Sequence, residues 1–312
     1  MGQKTQPCWL DKAVLIYGPR KGGTTLLQNL LDGGGEVFVY PTELKLKVLI
    51  REVMAVDNAR QRYNALSVAR KSAFPNFNTE QYVLSMDSPG PLGDRTLAHL
   101  LCDDVAKAWA AQHRPIPERP CMWAIKEVGG DARAIVAAWR NLNFYNRVIL
   151  ILRDPRMVTR SVITERRRRK VRLGAWDLFQ QVLESTRNLY HQFDMVGQPG
   201  ICAITYEDLV ANPGKMMTQV AEFLGVEYSP AFQSPSIFGT PVVTSTASVQ
   251  SESVFFVARN WHDDLTFFER LAVWGSYRAL CVASRLVRRR KGRSTPDYAA
   301  IRAYVIRMLS AD

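Results

Sequence analysis

Short apolar runs alternate along this chain with longer stretches in which apolar residues recur about every three to four positions. The runs have strand length and cover residues 13–17, 36–40, 122–125, 147–152 and 201–205. Helical patterns separate most of them, the first over residues 24–31. Strands that alternate with helices indicate crossover connections, so we predict a three-layer α/β fold with a mostly parallel central sheet flanked by helices. In such a fold, ligands bind at the carboxyl ends of the strands.

Several helix boundaries are visible in the sequence. Asp154-Pro155 and Asn212-Pro213 each place a capping side chain before a proline at the first helical position. Gly225 is suited to end the second of these helices, and Thr266 with Glu269 has the spacing of a capping box. These signals predict where four helix ends lie.

The domain organisation is predicted to be simple. With 312 residues, 47% of them hydrophobic and 22% charged, the chain can bury the core of one large α/β domain or of two smaller ones, and we expect residues 1–312 to form a single domain. Residues 45–120 interrupt the alternation with amphipathic helical pattern and a Pro- and Gly-rich loop at 87–93. We expect this insertion of about 45–120 to shape the binding site for a substrate, the acceptor of a transferred group. We also expect a helical C-terminal segment over about 250–312.

The charge balance favours anionic partners. Lys and Arg total 41 against 29 Asp and Glu, which gives a net charge of +12. Two basic clusters stand out, at residues 166–172 and 288–293. One alternative is therefore a basic protein that binds nucleic acid or anionic lipid. Such runs are more often solvated helix faces, so we do not expect nucleic acid as a partner. That these clusters attract an anionic substrate, the acceptor of a transferred group, is a hypothesis from charge alone.

Cysteine usage and the N-terminus bear on the compartment. The five cysteines are dispersed and lack CxxC spacing, which favours reduced thiols over disulfides or a zinc site. Residues 1–12 are polar, and no transmembrane run is visible in the sequence. The prediction is a cytoplasmic protein, with the lumenal domain of a Golgi-type enzyme lacking its anchor as the alternative.

The Gly-rich stretch at residues 18–25 offers backbone N–H groups, hydroxyls and a helix N-terminus to a phosphate. It matches the Walker A pattern at Gly18, Gly23 and Thr25, but Thr24 stands where that pattern has lysine. A P-loop kinase or NTPase needs that lysine and a magnesium site, so this alternative is disfavoured. Lys21 stands three positions earlier, which suits a leaving group that ends in one phosphate-linked oxygen.

The loop resembles that of the sulfotransferases that use 3′-phosphoadenosine-5′-phosphosulfate (PAPS), approximately P-[KR]-[SA]-G-[TS]-T-x-L. Gly22 replaces the usual serine, and Arg20 replaces the usual proline beside Lys21. The resemblance implies a P-loop-like fold with Lys21 as the catalytic cation at the bridging oxygen of PAPS. The donor-binding residues that it implies in this loop are Arg20, Lys21, Gly22, Gly23, Thr24 and Thr25.

Further elements follow in the order found in this family. Arg153 ends a predicted strand and Ser161 lies eight residues later, the family's spacing for binding the 3′-phosphate. The segment at 206–210, followed by 222–225, resembles the family's YEDL and FLG elements and implies that Tyr206 lies near the adenine. Near the C-terminus, Arg259 is a candidate to close over the nucleotide.

The proton acceptor is predicted to be Glu43. It lies 22 residues after Lys21, because 43 − 21 = 22, a separation that resembles the glutamate-base carbohydrate and tyrosylprotein enzymes of the family. Residues 123–128 resemble the segment whose lysine, here Lys126, approaches the transferring group. The phenol and steroid enzymes carry a histidine base two residues later, where this chain has Val128. Glu127 is the second candidate for the base and His99 the third.

The predicted function is sulfuryl transfer from PAPS to a hydroxyl or amine, with PAP as the second product. In-line displacement requires a base near the acceptor and positive charge near the leaving oxygen, with neither a covalent intermediate nor a metal. The acceptor is expected to be a small molecule or a glycan, and a carbohydrate or another alcohol is favoured over a simple phenol.

Overall fold

A computed structural model describes most of the chain. The described residues are 9–43, 77–86, 97–112, 120–142, 147–242, 247–250, 253–256, 260–290, 292 and 296–309. Much of the predicted insertion, including the loop at 87–93, lies outside them, as does Arg259.

A five-stranded parallel sheet forms the centre of the molecule. Its strands are β1 Ala13–Gly18, β2 Val37–Glu43, β3 Met122–Val128, β4 Arg147–Leu152 and β5 Ile201–Thr205, in the order β2-β3-β1-β4-β5. All five predicted strands are confirmed. β2 and β3 each continue three residues beyond their predicted ends. Glu43 is therefore the last residue of β2 and not, as predicted, a residue after the strand.

The extension of β2 has a physical reason in its position at the edge of the sheet. Pro41 has no N–H for a ladder hydrogen bond, which argues against a strand at this point of the sequence. An edge strand tolerates proline, and the register shifts between Val39 and Glu43, so pairing with β3 resumes after the irregularity.

Ten helices are described. They are α1 Thr24–Gly34, α2 Thr79–Met86, α3 Leu97–Ala110, α4 Ala132–Arg140, α5 Pro155–Arg168, α6 Ala175–Phe193, α7 Tyr206–Ala211, α8 Pro213–Leu224, α9 Phe267–Arg290 and α10 Tyr298–Leu309. Two short antiparallel pairs follow α8: β6 Ser236–Ile237 with β7 Thr240–Pro241, and β8 Ala247–Gln250 with β9 Ser253–Phe256. Helices α2 and α3 lie within the predicted insertion. In the segment expected to be helical, β9 precedes α9 and α10.

The sheet separates two apolar layers, because successive strand residues point to opposite faces. On β1, Leu15 and Tyr17 pack in the cluster that includes α3, α4, α6 and α10. Val14 and Ile16 pack in the cluster that includes α1, α7 and α8. This arrangement confirms the predicted three-layer α/β fold. A third cluster joins α5, α6 and α9 beside the sheet.

Most of the predicted helix signals are confirmed. The Asp154 carboxylate accepts the Arg156 N–H at 2.8 Å, with Pro155 as the first residue of α5. Gly225 ends α8 with φ of 66°, and Thr266 and Glu269 form the capping box before α9. The side-chain cap by Asn212 is wrong: this residue closes α7, with its N–H donating to the Asp208 carbonyl at 2.9 Å, and its side chain makes no capping bond.

No helix in the described ranges is both long and apolar enough to cross a membrane.

Candidate active site

A cleft of about 520 Å³ opens where the loops after β1, β4 and β5 meet. It is lined by nine of the predicted site residues: Arg20, Lys21, Gly23, Thr24, Thr25, Glu43, Arg153, Ser161 and Tyr206. Of the other predicted residues, Gly22 lies within the loop after β1, and Lys126 contacts the cleft through Thr25. The fold thus brings together residues that are far apart in the sequence.

A larger cavity of about 690 Å³ lies elsewhere, between α4 and the segment after α6. Its charged groups already bind one another: Asp194 accepts hydrogen bonds from both Arg133 and Arg288. Arg140 donates to the Pro199 carbonyl at 2.9 Å. The cavity contains none of the sequence motifs, so the smaller cleft is the candidate active site.

The loop between β1 and α1 turns sharply. The Gly22 N–H donates to the Pro19 carbonyl at 2.7 Å. Lys21 and Gly23 have φ of 63° and 104°, in the left-handed region. A Cβ at Gly23 would also collide with the Tyr206 ring, so only glycine fits there. The N–H groups that open α1 have no partner within the helix and face an anion-binding turn.

The absence of a side chain at Gly22 also has a steric reason. A Cβ at this position would lie 2.7 Å from both the carbonyl oxygen and the Cδ atom of Pro19. The serine that is usual here in the resembled family does not fit this turn unless the turn shifts. Glycine at residue 22 therefore fits a turn in which both the ring and the backbone carbonyl group of Pro19 lie close to it.

Arg153 joins the three loops that form the cleft. It follows β4 and is buried, and its Nη1 donates to the Lys21 carbonyl. Its guanidinium lies 3.8 Å from the centroid of the Tyr206 ring, a cation–π contact. The buried Nε has no hydrogen-bond partner among the described residues. A phosphate oxygen is an acceptor that fits such a donor.

Lys21 is held by the carboxylate of Glu165, a residue that no sequence motif indicated. Its Nζ lies 2.9 Å from Oε2 of Glu165 on α5. Arg20 and Arg169 contact the same carboxylate at 3.5 and 2.6 Å. The hydrogen bond from Lys21 holds the pKa of Glu165 below its ordinary value. Glu165 lies four residues after Ser161, so the helical spacing was a signal that it faces the same side of α5.

Glu43 and Lys126 are register partners at the ends of β2 and β3. The Lys126 ammonium donates to Oγ1 of Thr25 at 3.0 Å, which leaves the threonine hydroxyl hydrogen available to an anion. Burial lowers the pKa of Lys126, and the charge of Glu43 opposes that effect only in part. A carboxylate and a partly buried ammonium therefore lie beside the phosphate-binding turn.

The other candidate bases differ in position. Val128 lines the cleft at the place of the histidine in the phenol and steroid enzymes. Glu127 alternates with Lys126 and Val128 along β3, and it does not line the cleft. His99 lies in α3, and its side chain is outside the description.

The cleft also contains residues from a segment that no motif indicated. Ile237 and Val242 line it from the β6–β7 pair and its end, and Asn29 lines it from α1. Asp32 of α1 fixes this pair by accepting the Ser236 hydroxyl and the Gly239 N–H. Strands of two residues are too short for a periodic signal, so the sequence offered no means to predict this wall.

The sequence of this chain matches a known protein family. The family model described as "Sulfotransferase family" matches residues 13–230. That range contains β1, the loop after it, Glu43, Lys126, Arg153 and Tyr206. A search of curated proteins found no match.

Solved structures with a similar fold are distant in sequence. The sulfotransferase domain of the Synechococcus PCC 7002 olefin synthase is 22% identical, with 72% of this chain and 76% of that chain covered and a TM-score of 0.42. A sulfotransferase from Alicyclobacillus acidocaldarius is 13% identical, with 96% and 100% covered and a TM-score of 0.46. Mouse sulfotransferase SULT7A1, solved with PAP, is 12% identical, with 91% and 89% covered and a TM-score of 0.46. Similarities this weak carry no argument beside the family match.

Proposed function

Because this chain belongs to the sulfotransferase family and is a PAPS-dependent sulfotransferase, we propose that Glu43 and Lys21 carry out the transfer, with a carbohydrate or another alcohol as acceptor. The observation that carries the proposal is the meeting of Lys21, Glu43 and the Lys126–Thr25 pair at one cleft. A carboxylate and two ammonium groups provide the base and the positive charge that in-line displacement requires.

We propose that the two phosphate-bearing ends of the donor bind at different parts of the cleft. The turn at residues 20–25 and the first N–H groups of α1 hold the 5′-phosphosulfate end, while Arg153 and Ser161 hold the 3′-phosphate. Tyr206 lies against Gly23 and under Arg153, which supports a place for it beside the adenine. The unpartnered Arg153 Nε supports a phosphate at this point. Arg259 stays a prediction, since it is outside the described residues.

The chain's own groups have distinct tasks in the proposed reaction. PAPS supplies the sulfuryl group when it is bound. Glu43 accepts the proton of the acceptor hydroxyl as that oxygen forms its bond to sulfur. Lys21 and Lys126 hold positive charge toward the bridging oxygen, whose bond to sulfur breaks and which leaves with the electron pair. The absence of a metal requirement stays a prediction.

The donor site is tested by calorimetric titration with PAP in the absence of metal. We expect wild-type protein to bind PAP, and Arg153→Ala to weaken binding at least about tenfold, because a charge-assisted phosphate contact contributes roughly 1.5–3 kcal/mol. Arg187→Ala removes an exposed arginine on α6 and is the matched control. Binding of ATP with magnesium and not of PAP would instead support a P-loop kinase or NTPase.

The base is tested by comparing Glu43→Gln with Glu127→Gln at saturating PAPS. Loss of a general base lowers kcat by about 10²–10⁴-fold, and Glu43→Gln is expected to do so with little change in PAP affinity. Glu127→Gln is expected to retain most of the rate. The reverse pattern would reassign the base to Glu127, and faster turnover of phenols than of sugar alcohols would overturn the proposed acceptor class.

A further inference from the structure

Helix α9 has two apolar faces, and only one of them is buried. Val273, Tyr277 and Cys281 pack against α5 and α6. Seven of the ten large apolar side chains that the described residues expose also lie on α9, which concentrates the exposed apolar surface on one element. Six of them recur at helical spacing along one outward side: Phe267, Phe268, Leu271, Trp274, Val282 and Leu286. Phe267 and Phe268 are 73% and 79% exposed. We call this side the α9 surface.

Arginines lie within the α9 surface and beyond its C-terminal end. Arg278 is on the same side and lies 5.8 Å from the centroid of the Trp274 ring. Arg285 and Arg289 are also exposed along it. Glu269, the one acidic residue of α9, is bound by Arg167 and by the Thr266 N–H. The outward side of this helix is therefore apolar and positive, and α9 itself supplies no carboxylate to that side in the part of the chain that the structure describes.

A second basic stretch adjoins the N-terminal end of α9. Arg167 of α5 donates to the Asp264 carbonyl at 2.7 Å and to Glu269. This contact places Arg167 at the N-terminal end of α9, and Arg167 is the first of the exposed residues 167–172, five of which are Arg or Lys. Trp176 of α6 follows this stretch by four residues. Its side chain is 69% exposed and stacks on Phe179. Exposed aromatic and basic side chains thus follow one another closely along residues 167–176.

This composition fits an anionic lipid surface. Helices that lie in a membrane interface combine Trp, Phe and Leu on one face with Lys and Arg at its borders. Arginine stems can lie along the apolar layer while the guanidinium groups bind lipid phosphates. A second copy of the chain fits less well, since a two-fold contact would bring the same uncompensated arginines against one another.

We propose that the α9 surface docks this protein on an anionic lipid membrane. The six apolar side chains enter the interface, and Arg278, Arg285 and Arg289, with the stretch at 167–172, contact the headgroups. Docking does not depend on the transfer chemistry. It would bring the membrane close to the donor loop, because Glu165, the partner of Lys21, lies two residues before Arg167 on α5.

The test is flotation of the purified full-length chain with vesicles. One set contains phosphatidylcholine alone, and the other contains about one quarter phosphatidylserine. We expect the protein to float with the anionic vesicles only, and less so at about 1 M salt, where charges are screened. Phe268→Ser combined with Leu271→Ser is expected to lower the partition coefficient at least about tenfold, because it removes two large apolar side chains from the interface.

Two further variants complete the design. Arg278→Gln with Arg285→Gln is expected to lower the preference for anionic vesicles. Met308→Ser removes an exposed apolar side chain from α10 and is expected to change nothing. Thermal unfolding of each variant reports whether it is folded, independently of donor binding.

Three results would overturn docking on a membrane. The first is a wild-type protein that does not float with either vesicle, and the second is flotation that the α9 variants leave unchanged. The third is a wild-type dimer in light scattering that Phe268→Ser with Leu271→Ser converts to a monomer, which would show that a second copy covers the surface. None of these results bears on PAPS binding.

Discussion

At the scale of single residues, the ion pair between Lys21 and Glu165 sets the electrostatics of the donor loop. The same carboxylate also contacts Arg20 and Arg169, so one negative charge holds three positive ones at the rim of the cleft. An anionic donor competes with Glu165 for Lys21 and Arg20. The strength of donor binding therefore depends on a residue outside every motif of the loop.

Removing that charge is expected to strengthen donor binding. Glu165→Gln keeps the shape of the side chain but frees Lys21 and Arg20, and it eliminates repulsion between a carboxylate and the phosphates. We expect the Kd for PAP to fall by about three- to tenfold, measured by calorimetry at low salt. Glu222→Gln makes the same charge change at an exposed position of α8 and is expected to have no effect on the Kd for PAP. Weaker binding by Glu165→Gln would show that the carboxylate instead positions Lys21 for the donor.

The partly buried ammonium of Lys126 predicts a pH dependence. Burial lowers its pKa, so it loses its proton at a lower pH than an exposed lysine does. If its charge stabilises the leaving oxygen, kcat falls as pH rises through that lowered pKa. Lys126→Arg should lower kcat by about tenfold because the geometry changes, but it should remove the alkaline decline, since arginine stays charged. Lys215→Arg on α8 is the control, and an unchanged alkaline decline in Lys126→Arg would exclude Lys126 as its source.

At the scale of elements, the first residues of α7 have two tasks: one lines the cleft, and the next two hold α10 in place. Tyr206 faces the cleft, whereas the next two residues bind α10. Glu207 accepts the Tyr298 hydroxyl, and Asp208 accepts the Arg302 guanidinium through both carboxylate oxygens. Tyr298 and Arg302 are one turn apart, so both contacts come from one side of α10. Helix α10 is thereby fixed to α7, the helix that carries Tyr206.

Breaking this contact is expected to destabilise the fold. Burial alone would raise the pKa of Asp208, but the hydrogen bonds from Arg302 and Thr205 outweigh it and lower the pKa. Arg302→Ala leaves that buried carboxylate poorly paired and should lower the free energy of unfolding by about 1–3 kcal/mol, since Arg302 itself is partly exposed. Arg307→Ala on the exposed side of α10 should cost less than about 0.5 kcal/mol.

The pH dependence of this effect has a definite sign. Because the folded-state pKa of Asp208 is lowered, its stabilising contribution is present above the pKa of the unfolded state and is lost as pH falls through the folded-state value. The difference between wild type and Arg302→Ala in urea unfolding should therefore shrink on acidification. A difference that is constant down to acidic pH would show that packing of the arginine stem, and not the ion pair, stabilises α10.

At the scale of the whole molecule, the sheet and the donor side of the cleft were predictable because their signals are local. The apolar runs of β1, β4 and β5 and the Gly-rich loop lie within short stretches of sequence. The partners of the site residues were not predictable, because Arg153 with the Lys21 carbonyl and Glu165 with Lys21 are long-range contacts. The wall formed by Ile237 and Val242 was missed for a different reason, because strands of two residues carry no periodic signal, and the acceptor class stays a proposal.

The close contact between Gly22 and Pro19 has a consequence for how this loop can change. This chain departs from the loop of its family at residue 22, where serine is replaced, and at residue 20, where proline is replaced while a proline stands at 19. A Cβ at residue 22 would lie 2.7 Å from the Pro19 ring and equally close to the Pro19 carbonyl oxygen, which any residue at position 19 would carry. Replacing Pro19 alone would therefore not make room for serine, because the backbone of the turn would have to move as well. We expect serine at residue 22 to be accepted only when the whole turn at residues 19–23 is exchanged for that of a relative.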